Sequence, residues 1–183
     1  MCEETTETVP SALDASIRET NEWIARELTR SDRTVTAAES ITGGMISSSF
    51  VDIPGCSDWF ADGFVTYSNE AKAKRLGVDP TLIARCTAVS AEVGLAMAQG
   101  ALERSGADFA IAVTGLAGPF YDENGEAYPL APGHEPGLVF VACAAAEGAA
   151  VKRCVFSGGR TEIRKKTTLE AVRMLKKLMQ NLQ

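Results

Sequence analysis

Apolar positions along this chain change rhythm several times, and each change predicts an element. In residues 11–30, Leu13, Ile17, Ile24 and Leu28 recur at helical spacing. Ser11 and Asp14 open that stretch at the spacing of a capping box. TVTAA (34–38) predicts a short strand, and a second helix is expected from about Thr42 to Val51. Pro54-Gly55 marks a turn. WFADGFVTYS (59–68), rich in aromatic and β-branched residues, predicts a strand. Ser68 is placed to cap the helix NEAKAKRLG, which Gly77 ends, and Ser90 to cap an Ala-rich helix running to about Arg104. FAIAVTG (109–115) is continuously apolar, as a buried central strand should be. GLVFVACAAA and AVKRCVF flank Glu147-Gly148 as a hairpin. A basic amphipathic helix follows the Gly pair of SGGRTEIRKK, with Ile163, Leu169, Val172, Leu175 and Leu178 as its apolar side. Strands alternating with helices predict an α/β fold whose mixed, mostly parallel sheet is covered by helices.

Length and composition narrow this picture. The chain has 183 residues, suited to a single α/β domain over 13–183. The acidic, polar start MCEETTETVP predicts a disordered tail at 1–12 and does not resemble a secretory signal. No stretch is apolar enough to span a bilayer, so no membrane partner is expected. The net charge of −6 argues against a nucleic-acid surface. Five cysteines, none paired at zinc-ligand spacing, predict reduced thiols in a cytoplasmic protein, with Cys143 as core filling. The single histidine, His134, lies in a Pro/Gly-rich loop. A triad or multi-histidine metal site would have to be built on that residue alone, so a base is sought among Lys, Tyr and carboxylates.

Three segments share one chemistry-bearing pattern. Residues 36–44, 65–72 and 111–119 each run from an apolar strand into small polar residues and then glycine or a helix start. Such strand ends converge at one edge of an α/β sheet, where ligands bind. Each Ser or Thr taken alone reads as a helix cap; the three segments together point to a site. In TYSNEAK, Lys72 lies one turn beyond the Ser68 cap. Alone it reads as a surface lysine beside Lys74 and Arg75. Held partly dry near a strand end, with the Tyr67 hydroxyl nearby, it could serve as a base. A Ser–Lys pair needs no histidine. Ser40 and Ser57 are the candidate nucleophiles, with N–H groups near Gly43-Gly44 or Gly115 as an oxyanion hole. SGGRTEIRKK, with Arg160, suits an anion at a helix N-terminus, or reads as a solvated basic face. The irregular loop 118–137 is long enough to suggest a functional role.

AAESITGG, DIPGCSDWF, VTYSNEAKAKRLGV, AVSAEV, AVTGLAGP and FSGGRTEIR occur in this order. Together they resemble the C-terminal domain family of the competence/damage-inducible protein CinA, from about residue 13 to the C-terminus. Stand-alone members of that family are nicotinamide-nucleotide amidases. The resemblance implies a three-layer α/β/α sandwich, a homodimer or higher homo-oligomer, and no metal or cofactor. It implies hydrolysis of nicotinamide mononucleotide to nicotinate mononucleotide and ammonia. It marks Ser57 as nucleophile, Lys72 as base and Tyr67 as assistant, with Ser40 as the other candidate nucleophile. It carries Thr114 to a small-molecule substrate, and Arg160 to its phosphate. Glu39, Thr42, Gly43 and Gly44 then sit where they form one wall of the pocket, with Gly115 also at the substrate; Glu39 could instead orient Lys72 or a ribose hydroxyl. Two departures stand out: Ile41 replaces the family's usual Cys, and loop 118–137 carries Phe120, Tyr121, Asp122, Glu123 and Glu126 where the family is glycine-rich. That loop leaves open a different small amide as substrate, or a non-catalytic nucleotide- or partner-binding role.

Overall fold

A computed structural model describes residues 11–119, 123–127 and 129–182. The first helix, α1 (Ala12–Ser31), starts at a complete Ser11/Asp14 capping box. Of the tail expected at 1–12, residues 1–10 lie outside the described residues. The elements that follow are β1 (Val35–Glu39), α2 (Met45–Val51), a 3-10 turn (Cys56–Asp58), β2 (Phe60–Val65), α3 (Asn69–Leu76), α4 (Pro80–Cys86) and α5 (Ala91–Ser105). Then come β3 (Phe109–Gly115), β4 (Leu138–Ala145), β5 (Gly148–Val155) and α6 (Arg160–Asn181).

The strand order is β2-β1-β3-β4-β5. β1 pairs in parallel with both β2 and β3, while β4 is antiparallel to β3 and to β5. Four of the five described strands therefore point one way and β4 alone is reversed, a mixed sheet of mostly parallel direction. Residues on one face of the sheet (Val35, Ala37, Ile111, Val113, Val141) pack with α1, α2 and α6. Those on the other (Ala38, Ala110, Ala112, Ala142) pack with α3, α4 and α5. The result is the three-layer α/β/α sandwich. The alternation of faces along a strand produces the two cores from one sheet.

Local chemistry explains the boundaries. Ser68 and Ser90 cap α3 and α5 by accepting from Ala71 N and Val93 N, and Gly77 and Gly106 end them in the left-handed region. α4, which the hydrophobic rhythm did not reveal, has an Asp79 cap and Pro80 at its first position. α2 begins at Met45 rather than near Thr42. Gly43 and Gly44 take φ of 60° and 100°, a left-handed turn that holds residues 41–44 out of the helix.

Register places the site. Glu39 pairs with Val65 on one side and Val113 on the other. The next residues, Thr66, Ser40 and Thr114, therefore emerge in a row at the C-terminal edge of three parallel strands. From there β1 leads into α2 on one layer and β2 into α3 on the other. This divergence opens the crevice in which ligands bind in open α/β sheets.

Candidate active site

Ser40 is the first residue beyond β1, tied to β3 by its N–H donating to Val113 O at 3.1 Å. Beside it stands Lys72, in the first turns of α3. This lysine is only 1% exposed. Its ammonium donates to Ser40 Oγ at 3.1 Å, Thr66 O at 2.8 Å and Tyr67 O at 3.1 Å. Three donors meet three neutral oxygens, and none of these partners is a carboxylate. Burial without a counter-charge penalises the protonated form and lowers the Lys72 pKa to about 8. A neutral Lys72 keeps a lone pair for the Ser40 proton.

The loop between Ser40 and α2 is held from two sides. Glu39 is fully buried. Its carboxylate accepts from Gly44 N at 2.9 Å, Ile46 N at 3.0 Å, Ser47 N at 2.8 Å and Ser47 Oγ at 2.7 Å. Gly44 has no side chain with which to cap α2, so a carboxylate from the preceding strand does so, favoured further by the helix dipole. From the other side, Arg164 of α6 donates to Ile41 O at 3.2 Å and Thr42 O at 2.6 Å.

An open pocket of about 150 Å³ lies over the pair, lined by Ser40, Tyr67, Lys72, Thr114, Gly115 and Arg160, with Ala88 and Val89 closing one side. Tyr67 and Arg160 are exposed at its lip, where the Tyr67 hydroxyl accepts from Arg160 Nη2 at 3.4 Å. Arg160 is also the first residue of α6, whose Gly159 cap offers no side-chain partner to the first-turn N–H groups. Larger hollows exist, including one of about 300 Å³ lined by Asp14, Arg18, Ser48 and Lys165. There Lys165 is paired with Asp14 at 2.7 Å, so size does not coincide with nucleophile chemistry.

The structure thus brings together six of the expected residues: Ser40, Tyr67, Lys72, Thr114, Gly115 and Arg160. Others stand elsewhere. Glu39, expected at the substrate, turns into α2, and Gly44 donates to it, so that N–H is unavailable to an oxyanion. Thr42 is buried and does not line the pocket; Gly43 shapes the turn and does not line it either. The Thr114 hydroxyl donates to Ala88 O at 2.7 Å. Ser57, expected as the nucleophile beside Lys72, is not beside it. It is exposed on the 3-10 turn before β2, with Asp58 Oδ1 at 3.4 Å. Lys72 follows the far end of β2, and six strand residues at about 3.3 Å each separate the two ends. Phe120, Tyr121 and Asp122 of the divergent loop lie outside the described residues. Metal-ligand clusters are absent among the described residues.

Three contributors lie in the quoted motifs but were expected to play no part in the site: Thr66 through its carbonyl, Arg164, and the segment Ala88-Val89. Arg164 carried a signal, being four residues from Arg160 and so on the same face of α6.

The sequence and the fold have close counterparts. The sequence matches the CinA C-terminal domain over residues 17–179. It is 40% identical over 163 residues to the nicotinamide-nucleotide amidohydrolase PncC of Escherichia coli (strain K12), covering 88% of this chain and 94% of that protein. It is 45% identical over 145 residues to a CinA-like protein of Geotalea daltonii, covering 79% of this chain and 33% of that longer protein. The crystal structure of the competence/damage inducible protein CihA from Agrobacterium tumefaciens superposes with a TM-score of 0.81 at 37% identity, covering 93% of this chain and 97% of that one. The chain therefore belongs to the CinA C-terminal domain family.

Proposed function

We propose that this chain is an amidohydrolase that converts nicotinamide mononucleotide to nicotinate mononucleotide and ammonia, with Ser40 as nucleophile and Lys72 as general base. The observation that carries this reading is the buried Lys72 Nζ, 3.1 Å from Ser40 Oγ, at the floor of an open pocket. The similarity to an enzyme named for this substrate supports it.

In the proposed sequence, neutral Lys72 takes the Ser40 proton as Oγ attacks the carboxamide carbon. The resulting ammonium returns a proton to the departing nitrogen, releasing ammonia and leaving a Ser40 ester. Water, deprotonated by Lys72, then cleaves the ester to nicotinate mononucleotide, and the Lys72 proton restores the serine hydroxyl. Each proton Lys72 accepts is given back, so the chain needs no other base in this scheme. The pocket is smaller than the roughly 300 Å³ or more of cavities that enclose a whole drug-sized ligand. It suits the pyridine carboxamide, with the ribose phosphate over the lip. There Arg160 and the N-terminus of α6, whose Gly159 cap has no side chain to bond it, offer an anion site. The open lip also fits a homodimer in which a second copy covers the substrate.

Ammonia release from nicotinamide mononucleotide, absent in Lys72→Met, tests this reading. The modest pocket also favours a second reading, a smaller amide as substrate. Faster turnover of free nicotinamide than of its mononucleotide would select it.

A further inference from the structure

The pocket wall at Ala88-Val89 belongs to a short strap, Thr87–Ser90, between α4 and α5. Its three leading carbonyls are each held by a side chain. Ser90 Oγ donates to Thr87 O at 3.0 Å, Thr114 Oγ1 to Ala88 O at 2.7 Å, and His134 Nε2 lies 2.9 Å from Val89 O. A carbonyl only accepts, so Nε2 carries the proton in that bond. The same Nε2 is 3.2 Å from Thr87 Oγ1.

The strap needs holding. Thr87 has φ 65° and ψ 160°, a region essentially reserved for glycine and unfavourable for a β-branched residue. Such a conformation persists only where its surroundings over-determine it.

The loop that supplies His134 is built to present it. In Ala131-Pro132-Gly133-His134, the His134 N–H donates to Ala131 O at 2.9 Å and Gly133 has φ 78°. In Glu135-Pro136-Gly137-Leu138, the Leu138 N–H donates to Glu135 O at 3.0 Å and Gly137 has φ 87°. Both are turns with Pro second and a left-handed Gly third, the type II arrangement. Between them His134 faces the strap and Glu135 reaches Arg153 of β5 at 3.0 Å. The repeated Pro-Gly turns fix where the imidazole sits.

We propose that His134 is a positioning residue for the substrate pocket: it clamps the strained Thr87–Val89 strap, so that loop 129–137 shapes the wall against which the amide substrate binds. The proposal rests on the assignment of the Ser40–Lys72 pocket as the substrate site. It predicts that losing the imidazole loosens the wall and weakens binding, while the Ser40–Lys72 pair, held by other contacts, continues to turn over.

The test compares wild type, His134→Ala and His134→Gln. The Gln amide N–H can replace Nε2–H as donor to Val89 O. Hydrogen exchange of the substrate-free protein should quicken at residues 87–90 in His134→Ala, with β3 amides unchanged, and return toward wild type in His134→Gln. With nicotinamide mononucleotide, KM should rise about 5-fold in His134→Ala, the scale of one hydrogen bond, with little change in kcat, and recover in His134→Gln. Unchanged exchange at 87–90 in His134→Ala would overturn the clamp, as would a His134→Gln protein as defective as His134→Ala. If wild type released no ammonia, the proposed function would fail while the exchange measurement still decided the clamp.

Discussion

Ser40 and Ser57 stand at opposite ends of the same pair of parallel strands. Both are serines in small-residue turns beside a glycine-containing stretch, and both were candidate nucleophiles. Ser40 follows β1 at the C-terminal edge, where a desolvated lysine lies at hydrogen-bond distance. Ser57 precedes β2 at the N-terminal edge, open to water and next to a carboxylate. The difference lies in the surroundings. A serine becomes a nucleophile where a neutral base can take its proton, and a lysine is neutral near neutral pH where burial, as here, or a neighbouring cation disfavours its charge.

The sharpest way to break this comparison is at the base. Lys72→Met keeps much of the volume and removes the nitrogen; ammonia release should fall by about 1000-fold or more, on the upper scale of general-base loss. A folded Lys72→Met protein at wild-type rates would end the Ser40–Lys72 assignment.

Exchanging the two serines comes next. Ser40→Ala should lose activity to a similar degree, while Ser57→Ala should stay within about 2-fold, as for exposed positions away from a site. Should Ser57→Ala also be inactive, mixing it with Lys72→Met distinguishes the cause. Recovered activity in the mixed oligomer would mean that Ser57 serves the pocket of a second copy.

Glu39 tests whether the Ser40 turn is held as described. Glu39→Gln keeps the shape but presents an amide N–H to donors, weakening several charge-assisted bonds. It should lower Tm by roughly 5 °C, about 2 kcal/mol for a chain of this size. It should also lower kcat more than it raises KM, measured by steady-state ammonia release.

The pH dependence sharpens the argument without changing a contact. With Lys72 as the proposed base its neutral form is the active one, so kcat/KM should rise with pH and level off above about 8. Stability follows the same group in the same direction, at higher pH. The folded pKa lies below the unfolded one, so the unfolded chain binds more protons between the two values. The penalty for burying the ammonium is full below about 8 and is relieved as pH rises toward the ordinary lysine value of 10.5. Denaturant titrations should show this gain in wild type and its loss in Lys72→Met.

A smaller effect than at Lys72 or Ser40 is expected at the lip. Arg160→Ala should raise KM for the mononucleotide by about 10-fold, the scale of one charge-assisted hydrogen bond, and leave free nicotinamide unaffected. Equal losses for both would place Arg160 in general pocket shape rather than at the phosphate.

Much of the frame was legible because it is local. Capping at Ser11, Ser68 and Ser90, the glycine stops at 77 and 106, and the apolar run of β3 each depend on neighbours within a few residues. α2 was expected too early because an apolar rhythm does not register two glycines in left-handed conformation. α4 was hidden because its seven residues show little periodicity, although Asp79-Pro80 announced its start. The convergence of three strand ends was expected, and Ser40, Lys72 and Thr114 meet there. Glu39 was assigned to the substrate because its position after a strand said nothing of where its carboxylate turned.

Local pattern was enough for every strand and every helix but α4, for the α/β fold, and for which polar residues leave the strands at one edge. Those depend on side-chain periodicity, backbone preference and capping, all short-range. The tertiary structure alone decided which serine meets the lysine, that the lysine is dry, and that Glu39 and Arg164 hold the loop rather than the ligand. It alone joined His134 to a strap more than forty residues away. Burial and long-range hydrogen bonding are properties of the packed layers, and no window of sequence contains them.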